Sequence, residues 1–323
     1  MRMLTYSLIV TFCLSAVTAN AAGVQLIEIP GGDRSQSLEG AVWSPCGLPP
    51  AMVTLRRVEV PGVKGCPVVG EQLPLVVISH GGRGWYGGHH DTATALANAG
   101  YVVAAITHPD ADGRGWQTDR PAAIKRLIDY MLGEWTGHAQ LDADRIGFFG
   151  FSRGGYTGLV LIGGKPDFRL FILHCEQVPT DPICTPLGDT KAPRGQRSAK
   201  PTLPLIHDPR ISAAVIAAPL GLVFSPEGLK DVTVPVQLWR PENDELATHP
   251  YNAEAVYQAL PVETDYRVIS GAGHFVILAP CTEPQALAVP ALCQDAGGFD
   301  RVAFHKKFNA DILAFFQKHL DKP

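Results

Sequence analysis

The chain has 323 residues, 46% hydrophobic and 18% charged, with a formal net charge of −4. That composition is globular and allows one large core, and it excludes the basic footprint that nucleic acid or another polyanion requires. Residues 1–22 carry the pattern of a signal peptide: Arg2, an apolar Leu4–Val17, and the small-residue site Ala19-Asn20-Ala21, with cleavage near Ala21/Ala22. The apolar stretch is shorter than the roughly 20 residues that span a bilayer. The expectation is therefore an exported protein, periplasmic or secreted, with no stable membrane insertion; an N-terminal anchor is the alternative. Cys13 lies inside the apolar stretch, which argues against a lipoprotein.

Beyond Cys13 the cysteines are Cys46, Cys66, Cys175, Cys184, Cys281 and Cys293. An even number in an exported chain reads as disulfides. Neighbouring positions in Pro/Gly-rich stretches suggest the pairs 46–66, 175–184 and 281–293, although other connectivities, or buried free thiols, are open. No C-x-x-C pair offers a metal site.

In chain order, Val24–Ile29 and Leu38–Val42 read as strands around a Gly-Gly-Asp turn. Residues 46–72, rich in Pro and Gly, read as an irregular stretch stapled by Cys46 and Cys66. Leu73–Ser79, Tyr101–Thr107 and Arg145–Phe151 are continuous apolar runs, the signature of strands buried on both faces of a parallel sheet. Between them fall a helix at Thr92–Ala99 and another at Arg120–Trp135, with Ile124, Leu127, Ile128 and Met131 at helical spacing. Residues 165–210 hold many prolines and little periodicity; a disulfide-stapled lid or pocket wall is expected there. Its basic residues, Lys191, Arg194, Arg197 and Lys200, read as solvated charge. Further strands follow at Ile211–Ala217, Val234–Trp239 and Tyr266–Ile269, then a closing amphipathic helix at Val302–His319. This is the grammar of one α/β domain over 23–323, with a mostly parallel central sheet flanked by helices.

Chemistry concentrates at strand ends. Gly150-Phe151-Ser152-Arg153-Gly154 matches the G-x-S-x-G elbow, in which a serine sits on a sharp strand-to-helix turn. A serine hydroxyl needs a base, and the base needs a carboxylate to fix its tautomer. The loop Arg240-Pro-Glu-Asn-Asp244-Glu follows one later strand, and Ser270-Gly-Ala-Gly-His274 follows the next. Ser152, Asp244 and His274 thus form a candidate triad, with Glu242 and Glu245 as nearby substitutes for the acid. Oxyanion donors are expected from the backbone N–H of Arg153 and, in Ser79–Trp85, of Gly82. His80 is expected to support that loop by hydrogen bonding. Trp85 and Tyr86 are pocket candidates and Trp239 reads as core. His89-His90-Asp91 reads as a helix start rather than a metal site.

The segments "VVISHGG", "GFSRGG", "RPENDELATHP" and "GAGHFVILAPC" together resemble the α/β-hydrolase superfamily, in its serine branch of dienelactone-hydrolase-like and platelet-activating-factor-acetylhydrolase-like proteins. The resemblance runs over roughly residues 24–320. It implies an α/β-hydrolase fold and hydrolysis of carboxylic esters by a Ser-His-Asp triad through an acyl-enzyme, on a small-molecule ester, with no metal or organic cofactor. Two departures stand out. Dienelactone hydrolases carry a cysteine nucleophile where this elbow has Ser152. The acetylhydrolases take their acid after the strand that follows the elbow helix, where this chain reads "VIAAPLG" without an acid, which assigns the role to Asp244. An amide, peptide or lactone hydrolase with the same triad is the alternative; a non-catalytic binding protein on the same fold is the third reading.

Overall fold

The computed structural model describes residues 21–32, 35–56, 58–109, 115–184 and 206–321. The expected signal segment up to residue 20, and Lys191, Arg194, Arg197 and Lys200, lie outside them. Ala21 and Ala22 already belong to β1 (Ala21–Ile29), paired antiparallel with β2 (Leu38–Cys46).

One ten-stranded sheet organises the molecule. Its remaining strands are β3 (Ala51–Leu55), β4 (Val58–Lys64), β5 (Leu73–Ser79), β6 (Val102–Ile106), β7 (Leu141–Phe151), β8 (Ile211–Ala217), β9 (Val236–Pro241) and β10 (Thr264–Ile269). The order is β10-β9-β8-β7-β5-β6-β2-β1-β4-β3. From β6 to β10 every pairing is parallel, while β2 joins β6 antiparallel. The continuous apolar runs are explained by double coverage. In β5 every residue is buried, with Leu75 and Val77 facing one core and Val76 and Ile78 the other. Each large apolar side chain so enclosed contributes about 2 kcal/mol of burial.

The helices divide between the faces. α1 (His90–Asn98) and the closing α9 (Arg301–Leu320) cover the face that holds Leu96, Phe308 and Ile312. α2 (Trp116–Gly133), α3 (Arg153–Leu161) and α6 (Ala253–Ala259) cover the other, with Ile124, Leu159 and Val256. The short helices are α5 (Pro226–Leu229), α7 (Glu283–Ala288) and α8 (Pro290–Cys293). Trp239 is buried against Phe308 and lies in the core.

Two sequence expectations change. Residues 46–72 are not irregular: β3 and β4 form a hairpin that turns at Arg56, whose φ is 52°. Within 165–210, Phe168–Gln177 is a helix, α4, capped by the Asp167 carboxylate on the Arg169 N–H. Residues 185–205 of that excursion lie outside the described residues. The disulfides Cys46–Cys66, Cys175–Cys184 and Cys281–Cys293 are present, as the spacing suggested. No helix among the described residues is long and apolar enough to cross a membrane.

Candidate active site

β7 ends on Phe151, and α3 starts on Arg153, leaving Ser152 alone at the corner with φ 56° and ψ −116°. That backbone region is rare for a residue with a side chain and costs about 1–3 kcal/mol. Neighbouring chain holds it: the Ser152 N–H donates to Ala217 O at 2.9 Å, and Ser152 O accepts from Tyr156 and Leu220 N–H groups. The flanking glycines are steric requirements. A Cβ on Gly154 would meet Ser79 O at 1.9 Å, and one on Gly150 would meet Gly154 O at 2.3 Å. The serine side chain therefore stands at the carboxyl end of the central strand, against the loop that leaves β5.

Asp244 lies in the loop after β9, and His274 opens a 3-10 turn, His274–Ile277, after β10. Both side chains are buried. Asp244 Oδ1 and Oδ2 lie 2.9 and 2.8 Å from His274 Nδ1, and His274 Nε2 lies 3.0 Å from Ser152 Oγ. With Nδ1–H donated to the carboxylate, Nε2 is the acceptor facing the serine hydroxyl. Asp244 Oδ1 also accepts from the N–H groups of Leu246 and Ala247, at 2.9 and 2.7 Å. The Phe151 ring packs against the imidazole with centroids 4.8 Å apart.

The other acids of that loop hold the histidine's segment. Glu245 Oε2 accepts the His274 N–H at 2.9 Å, and Glu242 Oε2 accepts from Ser270 Oγ and the Gly271 N–H. The Asn243 N–H donates to Ala272 O, so the loops of Asp244 and His274 are laced together by backbone as well. The described part of the excursion docks beside them. Asp181 Oδ2 accepts from Thr248 Oγ1 at 2.6 Å and from His174 Nε2 at 2.9 Å, just before the Cys175–Cys184 staple closes.

Beneath the loop after β5 lies a polar network whose keystone the sequence reading left unmarked. Arg120, on α2, is fully buried; its Nη1 donates to His80 O at 2.5 Å and its Nη2 to Gly81 O at 3.0 Å. His80 Nδ1 donates to Gly81 O at 2.6 Å, and its Nε2 accepts the His108 N–H at 3.0 Å. His108 Nε2 lies 2.8 Å from Ser79 Oγ. A trans peptide sets its N–H opposite the preceding carbonyl. Fixing Gly81 O inward therefore turns the Gly82 N–H the other way, out of the core. Gly82 itself abuts the Arg153 side chain, whose guanidinium lies 5.0 Å over the Trp116 ring. Trp85 and Tyr86 stack edge to face, with Arg56 above both; Tyr86 is buried in the core and Trp85 is half-buried.

These buried imidazoles carry a pH consequence. Burial, reinforced by the Arg120 charge, pushes His80 and His108 well below the ordinary histidine value, and burial pushes His89 down to about 4. A histidine kept neutral in the fold gives stability that is present above its unfolded value and is lost as pH falls. For His89 alone, the loss between pH 6.5 and about 4 amounts to roughly 3 kcal/mol. Urea midpoints are expected to drop steadily over that range, before the carboxylates titrate; a midpoint flat down to pH 4.5 contradicts the buried neutral rings.

No protein-family model and no curated protein matches the chain. Among solved structures, it is similar to the ferulic acid esterase from Streptomyces cinnamoneus, with a TM-score of 0.64 and 19% identity over 95% of this chain and 94% of that one. At that identity the likeness is one of fold: a mixed α/β architecture with a mostly parallel sheet flanked by helices.

Proposed function

We infer that this chain is an exported serine hydrolase of carboxylic esters. The observation that carries the reading is the unbroken line Asp244–His274–Ser152, with its acceptor nitrogen 3.0 Å from a hydroxyl held in a strained elbow. In this mechanism His274 Nε2 takes the Ser152 proton as Oγ adds to the acyl carbon, and Asp244 stabilises the imidazolium that forms. The carbonyl oxygen, now an anion, is held by the N–H groups of Arg153 and Gly82, the first at the positive end of α3. The intermediate collapses by breaking its bond to the alcohol oxygen, which leaves with the proton from His274. Water, deprotonated by the same histidine, then adds to the acyl-serine and releases the acid and the free serine.

The fold it shares with a ferulic acid esterase supports an ester as the substrate class. The three disulfides support an oxidising compartment, hence export. Trp85, half-buried beside the glycine-rich loop, is assigned to the acyl pocket, with Tyr86 packed behind it. Hydrolysis of p-nitrophenyl esters of increasing acyl length by the oxidatively folded protein tests the reading. Turnover on at least one chain length, stopped by one equivalent of a fluorophosphonate bound at Ser152, is the expected result. Folded protein that turns over none of the esters and takes no label rejects it.

A further inference from the structure

A second histidine–aspartate pair lies behind the turn that carries His274. His305, on α9, is buried, with the Phe304 and Phe308 rings against it. Its Nδ1 is 2.6 Å from Asp91 Oδ2, and its Nε2 is 2.7 Å from Val276 O. Both partners accept hydrogen bonds. Burial alone would raise the Asp91 carboxyl, yet the hydrogen bond and charge of His305, with the Asn309 amide at 2.8 Å, hold it well below the usual carboxylate range. The His305 ring thus bridges the Asp91 carboxylate of α1 and the Val276 carbonyl of the 3-10 turn. The other ionisable groups that face it, His89 and His90 beside Asp91, are driven toward the neutral form by burial.

Val276 is two residues beyond His274, within the same 3-10 turn. The next carbonyl, Ile277 O, lies 3.1 Å from His89 Nδ1. The turn is therefore gripped from behind by α9 and from below by the start of α1, while its front presents His274 to Asp244 and Ser152. We propose that His305 is a positioning residue for the catalytic base, holding the His274 turn through a buried ring wedged between Asp91 and the Val276 carbonyl. The proposal rests on the reading of His274 as the base of an ester hydrolase. The fold thereby couples the working geometry to a residue that never touches substrate.

Two variants separate positioning from packing. His305→Leu removes both bonds but keeps an apolar filling, whereas His305→Gln can still donate to Val276 O. With p-nitrophenyl acetate, and rates referred to the fluorophosphonate-titrated Ser152, the Leu variant is expected to lose about tenfold in kcat with KM little changed. The Gln variant should recover most of that loss. An unchanged kcat in the Leu variant, a loss that falls on KM instead of kcat, or a Gln variant that recovers none of the loss overturns the proposal. Unmodified protein that turns over no ester rejects the esterase reading instead, and that control tells the two failures apart.

Discussion

Ser152→Ala is expected to abolish turnover, lowering kcat on a p-nitrophenyl ester by roughly 10⁵-fold or more while leaving the fold intact. The side chain's hydrogen-bond partner in the site is His274 Nε2, so the substitution removes the proposed nucleophile and leaves the Asp244–His274 pair in place. Backbone bonds from Ser152 to Ala217, Tyr156 and Leu220 fix the elbow, and all survive the substitution. Thermal stability should stay at or slightly above that of the unmodified protein, because alanine makes no demand on the histidine and the strained φ remains the same. A residual rate above that of the uncatalysed reaction is allowed, since the proposed oxyanion donors are untouched. A kcat within tenfold of the original places the nucleophile elsewhere.

Arg120→Met is expected to lower both activity and stability, through a residue about one helix away from the chemistry. The guanidinium is fully buried and donates to two successive carbonyls, His80 O and Gly81 O. Methionine fills much of the volume but leaves those oxygens short of donors, a loss of roughly 3 kcal/mol for two charge-assisted bonds in a dry site. The Gly81 carbonyl keeps its bonds from His80 Nδ1 and the Gly84 N–H, so the loop should loosen rather than unfold. With that carbonyl less firmly held, the Gly82 N–H, the proposed oxyanion donor, loses its fixed aim, at an expected cost of about 10²-fold in kcat. KM should move little, because the donor matters to the intermediate more than to the bound ester. Arg120→Lys, which can reach one carbonyl but not both in a forked geometry, should fall between the two. Steady-state kinetics and urea midpoints on the three proteins check the order; equal kcat in all of them shows that the loop holds its geometry without Arg120.

The parallel half of the sheet was legible because doubly covered strands have no polar alternation, so β5, β6, β8 and the Ile146–Phe151 end of β7 stand out as almost wholly apolar runs. The order of Ser152, Asp244 and His274, each just beyond its own strand, was legible for the same reason. The β3–β4 hairpin was hidden by punctuation. Val53, Leu55, Val58 and Val60 do alternate and are buried, but Pro61 and Gly62 break the run, and the turn uses Arg56 at positive φ instead of Asn-Gly. Helix α4 was masked by the prolines around it and by a weakly buried surface: Leu173 is half exposed. The supporting polar residues were missed because each looks ordinary by itself. Arg120 precedes Ile124, Leu127 and Met131 on the apolar face of α2, and His305 precedes Phe308 and Ile312 on that of α9. A charged or titratable residue in register with an apolar stripe is the signal that would have found both, since burial there requires a partner.

The central claim is an acyl-enzyme on Ser152, and the most direct measurement is to quench the protein during turnover of p-nitrophenyl acetate and map the acetyl group by peptide mass spectrometry. The account predicts an acetyl group on Ser152 that disappears once the ester is exhausted, persists longer in His274→Gln, and never forms in Ser152→Ala. Steady turnover with no acetyl on Ser152 at any quench time, or an acetyl group carried through turnover on another residue, would contradict it.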